Sequence, residues 1–262
     1  MSGEVSAEIL TTHLLDLASK GKRLDGRGID EYRPIRIEPG FAANADGSAF
    51  VHLGDTKVLC GVKLELGKPF PDTPNAGVLT TNAELIPLSS PVFEPGPPTT
   101  TAIETSRVVD RAIRAAETID LTQLCVTPGE KSWVCYVDVH VLDHSGNLID
   151  AALLSAVAAL SHATLPRKRF GVAETDIPLE VVHRPIECTF VRLGDAILVD
   201  PTFDEEKAAQ GRITVATDET GRIVAMQKGL VGAFSPEDIK EVVERAFQHG
   251  DRMRALAQGM TP

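Results

Sequence analysis

The sequence predicts an α+β fold in two consecutive parts. Three observations carry that reading. Segments that alternate apolar and polar residues, the period of a strand, lead into a long apolar stretch from Asp150 to Leu165. A basic run, Pro166 to Phe170, then breaks the pattern, and a boundary falls near residues 166–180. Beyond it, alternating segments again give way to a helix signal at Ser235-Pro236. Strands grouped ahead of a helix in each half define the α+β class.

The elements follow in order. Ser6 to Leu17 reads as a short helix, with Leu10, Leu14 and Leu17 on one face, Ser6 as its cap and Gly21 at its end. Arg23-Leu24-Asp25-Gly26-Arg27 is a polar turn, and Arg33 to Ile37 is extended. Ser48 to Leu53 and Lys57 to Leu64 flank Gly54-Asp55-Thr56, a hairpin turn built from residues that tolerate tight bends. The stretches Phe70 to Asn75 and Glu94 to Pro98 hold too much proline for a helix or a central strand. Glu104 to Glu117 is helical, with Val109, Ala112, Ile113 and Ala116 as its apolar face. Trp133 to Leu142 is a strand whose Val137, Val139 and Val141 oppose Tyr136, Asp138 and His140. Gly146-Asn147 turns the chain into the apolar helix. In the second half, Cys188 to Leu193, Ala196 to Val199, Arg212 to Thr217 and Ile223 to Lys228 are strands. Ser235 caps a last helix with Pro236 at its first position and a stripe of Ile239, Val242, Val243, Ala246 and Phe247.

Of the 262 residues, 43% are hydrophobic and 24% charged, which excludes disorder for most of the chain. With 26 Lys+Arg against 37 Asp+Glu, the formal charge is -11. That excludes a surface broadly coated with basic residues, though not a small basic face. Cys60, Cys125, Cys135 and Cys188 form no C-x-x-C pair and sit among apolar or Thr neighbours, so they read as reduced core residues of a cytoplasmic protein. The N-terminus shows no signal-peptide pattern. The apolar run from Leu148 to Leu165 is interrupted by Asp150, Ser155, Ser161 and His162, which makes it a core helix and no membrane span.

Candidate chemistry is sparse. Arg107, Arg111 and Arg114 fall on one face of the Glu104–Glu117 helix, away from its apolar side. Such a face either binds phosphates or is laced by ion pairs to Glu104, Asp110 and Glu117. Asp200, Asp204, Glu205 and Glu206 cluster after a strand; the reading favoured is a solvated loop or helix start over a Mg²⁺ or acid–base site. His140 and His144 lack the spacing of a helix-borne metal pair, and no metal site is expected.

Taken together and in order, several segments resemble the RNase PH family. They are Arg23 to Arg27, Gly47 to Thr56 (GSAFVHLGDT), Pro69 to Asn75 (PFPDTPN), Phe93 to Pro98 (FEPGPP), Ser106 to Arg111 (SRVVDR) and Val199 to Glu206 (VDPTFDEE). Within the family, the resemblance is to the non-catalytic ring subunits of archaeal exosomes. It implies an RNase PH-like fold with a ribosomal protein S5 domain 2-like core and a second, smaller α/β-type C-terminal part. The implied divisions are an N-terminal helix and turn at 1–30, a core domain at 31–170 and a C-terminal domain at 180–258. It further implies a ring of three heterodimers with a catalytic RNase PH-type paralogue, trimeric RNA-binding cap subunits, single-stranded RNA as ligand and no membrane. The ring degrades RNA from its 3′ end by phosphorolysis and adds tails in reverse. Inorganic phosphate, with Mg²⁺ as a candidate, belongs to the partner's active site, and this chain holds no cofactor.

Catalytic members carry a Gly-Gly-Ser/Thr-Arg turn for phosphate and an acid further on as proton donor. The matching stretches here are Asp143 to Leu148 (DHSGNL) and Gln210 to Ile213 (QGRI), which lack the arginine and the carboxylate. The resemblance therefore implies a subunit with no catalytic residues of its own, with Arg107 and Arg111, and more weakly Arg114, contacting RNA phosphates. The alternative is an autonomous phosphate-dependent exoribonuclease of the same family.

Overall fold

The computed structural model describes residues 2–257, with side chains from residue 8 onward. Helix α1 (Ser2–Ser19) begins upstream of the expected Ser6 start, and the side chain of Ser6 lies outside the described residues. Its Leu14 and Ala18 are buried, the latter with Val191, Leu193 and Leu198 of the second part.

The first sheet is formed by β1 (Ile35–Pro39), β2 (Gly47–Leu53), β3 (Thr56–Gly67) and β4 (Val78–Leu85). After α2 (Thr100–Ala115) and a 3₁₀ turn at Leu121–Leu124, β5 (Cys125–Thr127) and β6 (Lys131–Asp143) complete it. Its order is β1-β2-β3-β6-β4, with β5 on β6. All pairs are antiparallel except β4 with β6, whose parallel pairing needs the α2 crossover. The β2–β3 turn places Leu53 opposite Thr56, as the alternating pattern demands. Along β6, Val137, Val139 and Val141 are buried and the polar residues between them are half-buried. Strand β4 has no clean alternation (VLTTNAEL), which explains why the sequence pattern passed over it.

Helix α3 (Leu148–Ser161) is buried on every side from Leu148 to Leu160. A helix apolar all round belongs in the interior. It stops four residues short of the expected end, because Thr164–Leu165 (β7) pairs with Ile177–Pro178 (β8). Most of α3 packs in the first core, while Leu154 and Val51 join the second core with Ile186, Phe190 and Val215. The two parts thus share α3 as a common wall.

The second sheet comprises β9 (Ile186–Leu193), β10 (Ala196–Val199), β11 (Gly211–Thr217) and β12 (Ile223–Gly229), in the order β10-β9-β11-β12, antiparallel throughout. A short helix, α4 (Phe203–Ala208), precedes β11, and the long α5 (Pro236–Ala257) covers the sheet. The expected α5 stripe is corrected at one end: Val242 and Ala246 are buried, but Ile239 is exposed and Arg245 takes a buried place instead. Arg245 reaches Asp30 (2.7 Å) and the Ile197 carbonyl (3.1 Å), and its guanidinium lies over Phe190. All four cysteines are free; Cys60, Cys135 and Cys188 are buried, but Cys125 is only half-buried, on the short β5, and is not a core residue. Burial pushes the Cys135 thiol up to about 12. Among the described residues no helix is long and apolar enough to cross a membrane.

The parts are joined by a buried ionic cluster. Asp200, fully buried at the end of β10, accepts from Arg33 Nη2 (2.7 Å), Nε (2.9 Å) and backbone N–H (2.8 Å), from Arg27 Nη1 (2.9 Å) and from Asn147 Nδ2 (2.8 Å). Removing one partner from a buried pair leaves a bare charge, which costs about 3–5 kcal/mol. Arg33→Met is therefore expected to destabilise the chain by about that amount in chemical denaturation. A loss below about 1 kcal/mol would show that the cluster does not join the parts.

Candidate functional site

The loop between β6 and α3 is shaped by three devices. Gly146 has φ +96°, and a Cβ there would meet Phe203 N, Pro201 O and Thr202 C, each at 2.5 Å. Only glycine lets the α4 entry close over the loop. Asn147 follows with φ +56° as the residue before α3. Thr56 Oγ1 donates to the Gly146 carbonyl (2.6 Å) and accepts from Ser145 N–H (3.1 Å), which pins the loop to β3.

A turn running into a helix N-terminus is a ready anion seat. Here the chain's own groups take part of it. Asn147 N–H donates to Glu206 Oε1 (2.9 Å), and the Asn147 side chain donates to Asp150 and Asp200, both at 2.8 Å. Leu148, at the position of the expected arginine, is buried in the first core. Burial raises Glu206 to about 7, against the lowering by the Asn147 N–H and the charge of Arg212. His144 stacks on Phe93 and meets Phe203 edge-on, and burial followed by the charge of Arg33 lowers it to about 4. His140 pairs with Glu84 (3.3 Å), and among the described residues no cluster of three or more His, Cys, Asp or Glu is placed to hold a metal.

Of the two forms the sequence reading favoured, a solvated loop or a helix start, the structure has the helix start, with two of the acids buried instead of solvated. Asp200 and Glu205 are buried and Glu206 faces the loop. The reason is that Arg23, Arg27 and Arg33 turn their guanidiniums inward onto Glu205 and Asp200. Arg23 forms a paired contact with both Glu205 oxygens and donates to the Val199 and Asp200 carbonyls, each at 2.7 Å. Burial alone would raise Asp200, but the Arg33 hydrogen bonds and charge outweigh it and hold the carboxyl below its ordinary range. Glu205 also closes a capping box with Thr202 at the start of α4, so the expected helix start is present.

The three arginines of α2 have different environments. Arg107 is exposed and, among the described residues, makes no hydrogen bond or ion pair. Arg111 is exposed and donates to Gln227 Oε1 of β12 (2.7 Å). Arg114 is tied down, to Asp110 (2.7 Å) and to the Leu79 carbonyl (2.5 Å). Lacing therefore accounts for Arg114 alone; Glu104 is paired with Arg212 of β11, not with an arginine of its own helix. The roles of Gln227 and Arg212 depend on a strand that returns beside α2, so local spacing could not show them.

Family models match both parts of the chain: the 3′ exoribonuclease family, domain 1, over residues 31–166 and domain 2 over residues 183–249. The chain belongs to the RNase PH family. Its RNase PH relatives include the exosome complex component Rrp42 of Thermococcus kodakarensis, 49% identical over 96% of this chain and 95% of that one. The same component of Methanocella arvoryzae is 46% identical over 99% and 100%. Among solved structures, the Archaeoglobus fulgidus exosome with RNA bound to the active site holds a similar chain. It has a TM-score of 0.93 and 42% identity, covering 95% of this RNase PH chain and 98% of that one. A chain of an archaeal exosome core gives 0.90 at 37% identity, covering 98% and 100%.

The raised Glu206 supplies a pH test. Its carboxyl is held above its ordinary value, so the stability it contributes is fully present below about pH 4.5 and is lost as pH rises through about 7. Glu206→Gln keeps an acceptor for Asn147 and removes the charge. The variant is expected to match the parent near pH 5 and to exceed its stability by about 1–2 kcal/mol at pH 8, read by denaturation at both pH values. A difference that stays flat with pH would overturn this.

Proposed function

We propose that this chain is a non-catalytic structural and RNA-binding subunit of an archaeal-type exosome core ring. It completes the active site of a catalytic RNase PH-type paralogue that degrades RNA 3′-to-5′ by phosphorolysis and extends it in reverse. The observation that carries the proposal is the state of the β6–α3 loop. Phosphorolysis needs inorganic phosphate held in line with the scissile bond by a fixed cation. Here Leu148 is buried where the guanidinium should stand, and Glu206 accepts the Asn147 N–H. That N–H, the first donor a phosphate in the turn would need, is thereby taken by the chain itself. The proton donor is missing too: Arg212 stands in its stretch, paired with Glu104.

Supporting the RNA role is the face of α2, where Arg107 is free among the described residues and Arg111 is held at the surface by Gln227. Guanidiniums presented in this way read backbone phosphates without reading bases. Arg114, committed to Asp110 and the Leu79 carbonyl, contributes less. The similarity to relatives named exosome components, and to a structure of an exosome with bound RNA, agrees with this assignment. In this reading the ring holds three heterodimers under a trimeric RNA-binding cap. Phosphate, and Mg²⁺ if used, act in the partner's site, and the assembly works in the cytoplasm.

Two measurements test the proposal. In a phosphate-dependent decay assay, the purified chain alone should release no nucleoside diphosphate, and its mixture with the catalytic paralogue should release it readily. Robust release by the chain alone would make it an autonomous exoribonuclease. In the assembled ring, replacing Arg107 and Arg111 together by Ala should weaken single-stranded RNA binding about tenfold at low salt and reduce the salt slope by about 1.4. Unchanged affinity and slope would remove these arginines from the RNA contact.

A further inference from the structure

We propose that Arg212 neutralises Glu104 on the nucleic-acid face of α2 and thereby sets the net charge that an RNA strand meets there. This rests on the reading of Arg107 and Arg111 as phosphate contacts. Glu104, Arg107 and Arg111 are spaced i, i+3 and i+7, so they line one side of the helix. Left alone, the Glu104 carboxylate would lie one turn from Arg107 and cancel part of its attraction for phosphate. The second part of the chain prevents this. Arg212, near the start of β11, places Nη2 on Glu104 Oε1. Glu104 is the one acceptor its side chain finds among the described residues.

The arrangement is built into the sheet. Arg212 is paired in register with Gly229 of β12, and a Cβ on Gly229 would fall 2.7 Å from Arg212 Nη2 and 2.9 Å from Nε. The guanidinium therefore lies across the space that the missing side chain leaves, directed at α2. Two residues earlier on β12, Gln227 holds Arg111. One strand edge thus fixes both the residue that masks the acid and an arginine that the acid would oppose. The side chains of Arg212 and Glu104 are 20% and 31% exposed, so water screens the pair only in part. Of the other charges nearby, Glu206 also lies in the field of Arg212. The same residue stands in the stretch where catalytic members carry an acid.

The test is a charge series in the assembled ring with its catalytic paralogue. Binding is read with a fluorescein-labelled single-stranded oligoadenylate at low salt and again across a salt titration. Arg212→Met exposes Glu104 and should weaken binding about three- to fivefold. Glu104→Gln unmasks the Arg212 charge and should strengthen it by a similar factor. The double variant should return to the parent affinity, and Arg212→Lys should stay close to it. Ring assembly and thermal unfolding of each variant are followed in parallel, and Glu104→Gln carries the test if Arg212→Met fails to assemble. Weak binding by Arg212→Met that Glu104→Gln does not rescue would overturn the masking role. So would an unchanged affinity across the series, provided the Arg107 and Arg111 double variant still binds weakly. Parent-like binding by that double variant would instead overturn the RNA reading on which the masking depends.

Discussion

Asp200 carries its charge where water cannot reach it, and the arrangement of the molecule follows from how that charge is compensated. Five donors converge on its two oxygens, from the N-terminal segment, the start of α3 and the backbone before β1. Each donor belongs to a segment with another task. Asn147 opens the core helix, Arg33 precedes the edge strand of the first sheet, and Arg27 lies in the polar turn after α1. Asp200 itself has φ +48°, a conformation that costs a non-glycine residue about 1 kcal/mol and persists only where its surroundings fix it. A hydrophobic joint of the same size would tolerate sliding. A multiply bonded carboxylate does not, since each displaced donor leaves a polar group without a partner. The cluster therefore sets the register between the two sheets, and through it the placement of β12 against α2.

That placement reconciles an acidic protein with the proposed RNA ligand. The overall charge is -11, yet the site needs only a local field. Many of the acids are spent internally: Asp200 and Glu205 on buried arginines, Asp218 on Arg222 and two Thr220 donors, Glu104 on Arg212. Among the described residues, the guanidiniums of Arg107 and Arg111 are left at the α2 surface without an acidic partner. Charge counted over a whole sequence is thus a poor guide to charge at a surface when pairs form across long sequence separations.

The strands with clean alternation and the wholly apolar helix were legible because burial imposes a period on the sequence, as β6 and α3 illustrate. Strand β4 was not, because it pairs in parallel and exposes Thr80 beside buried Leu79 without a steady period. The helix start after β10 was legible, but the burial of Asp200 and Glu205 was not, because their partners, Arg23, Arg27 and Arg33, lie about 170–180 residues away. The residue types on which the non-catalytic proposal rests, Leu148 and the carboxylate-free stretch Gln210 to Ile213, were visible in the sequence. The contacts made there, Glu206 with Asn147 and Glu104 with Arg212, required the tertiary fold.

The order of the first sheet also has a consequence during synthesis. Strand β6 lies between β3 and β4 although it is made after both. A nascent chain that has reached Ile119 has completed β4 and α2 and has no edge on which to dock them. Until residues 131–143 leave the ribosome, Leu79, Ala83, Val109 and Ile113 lack Val137, Val139 and Val141, the part of the first core that β6 supplies. Local hairpin β2–β3 can close at once, while the crossover half waits for a strand still inside the exit tunnel. The half-finished chain therefore presents an apolar surface that the finished one hides, and that interval is where a chaperone has something to hold.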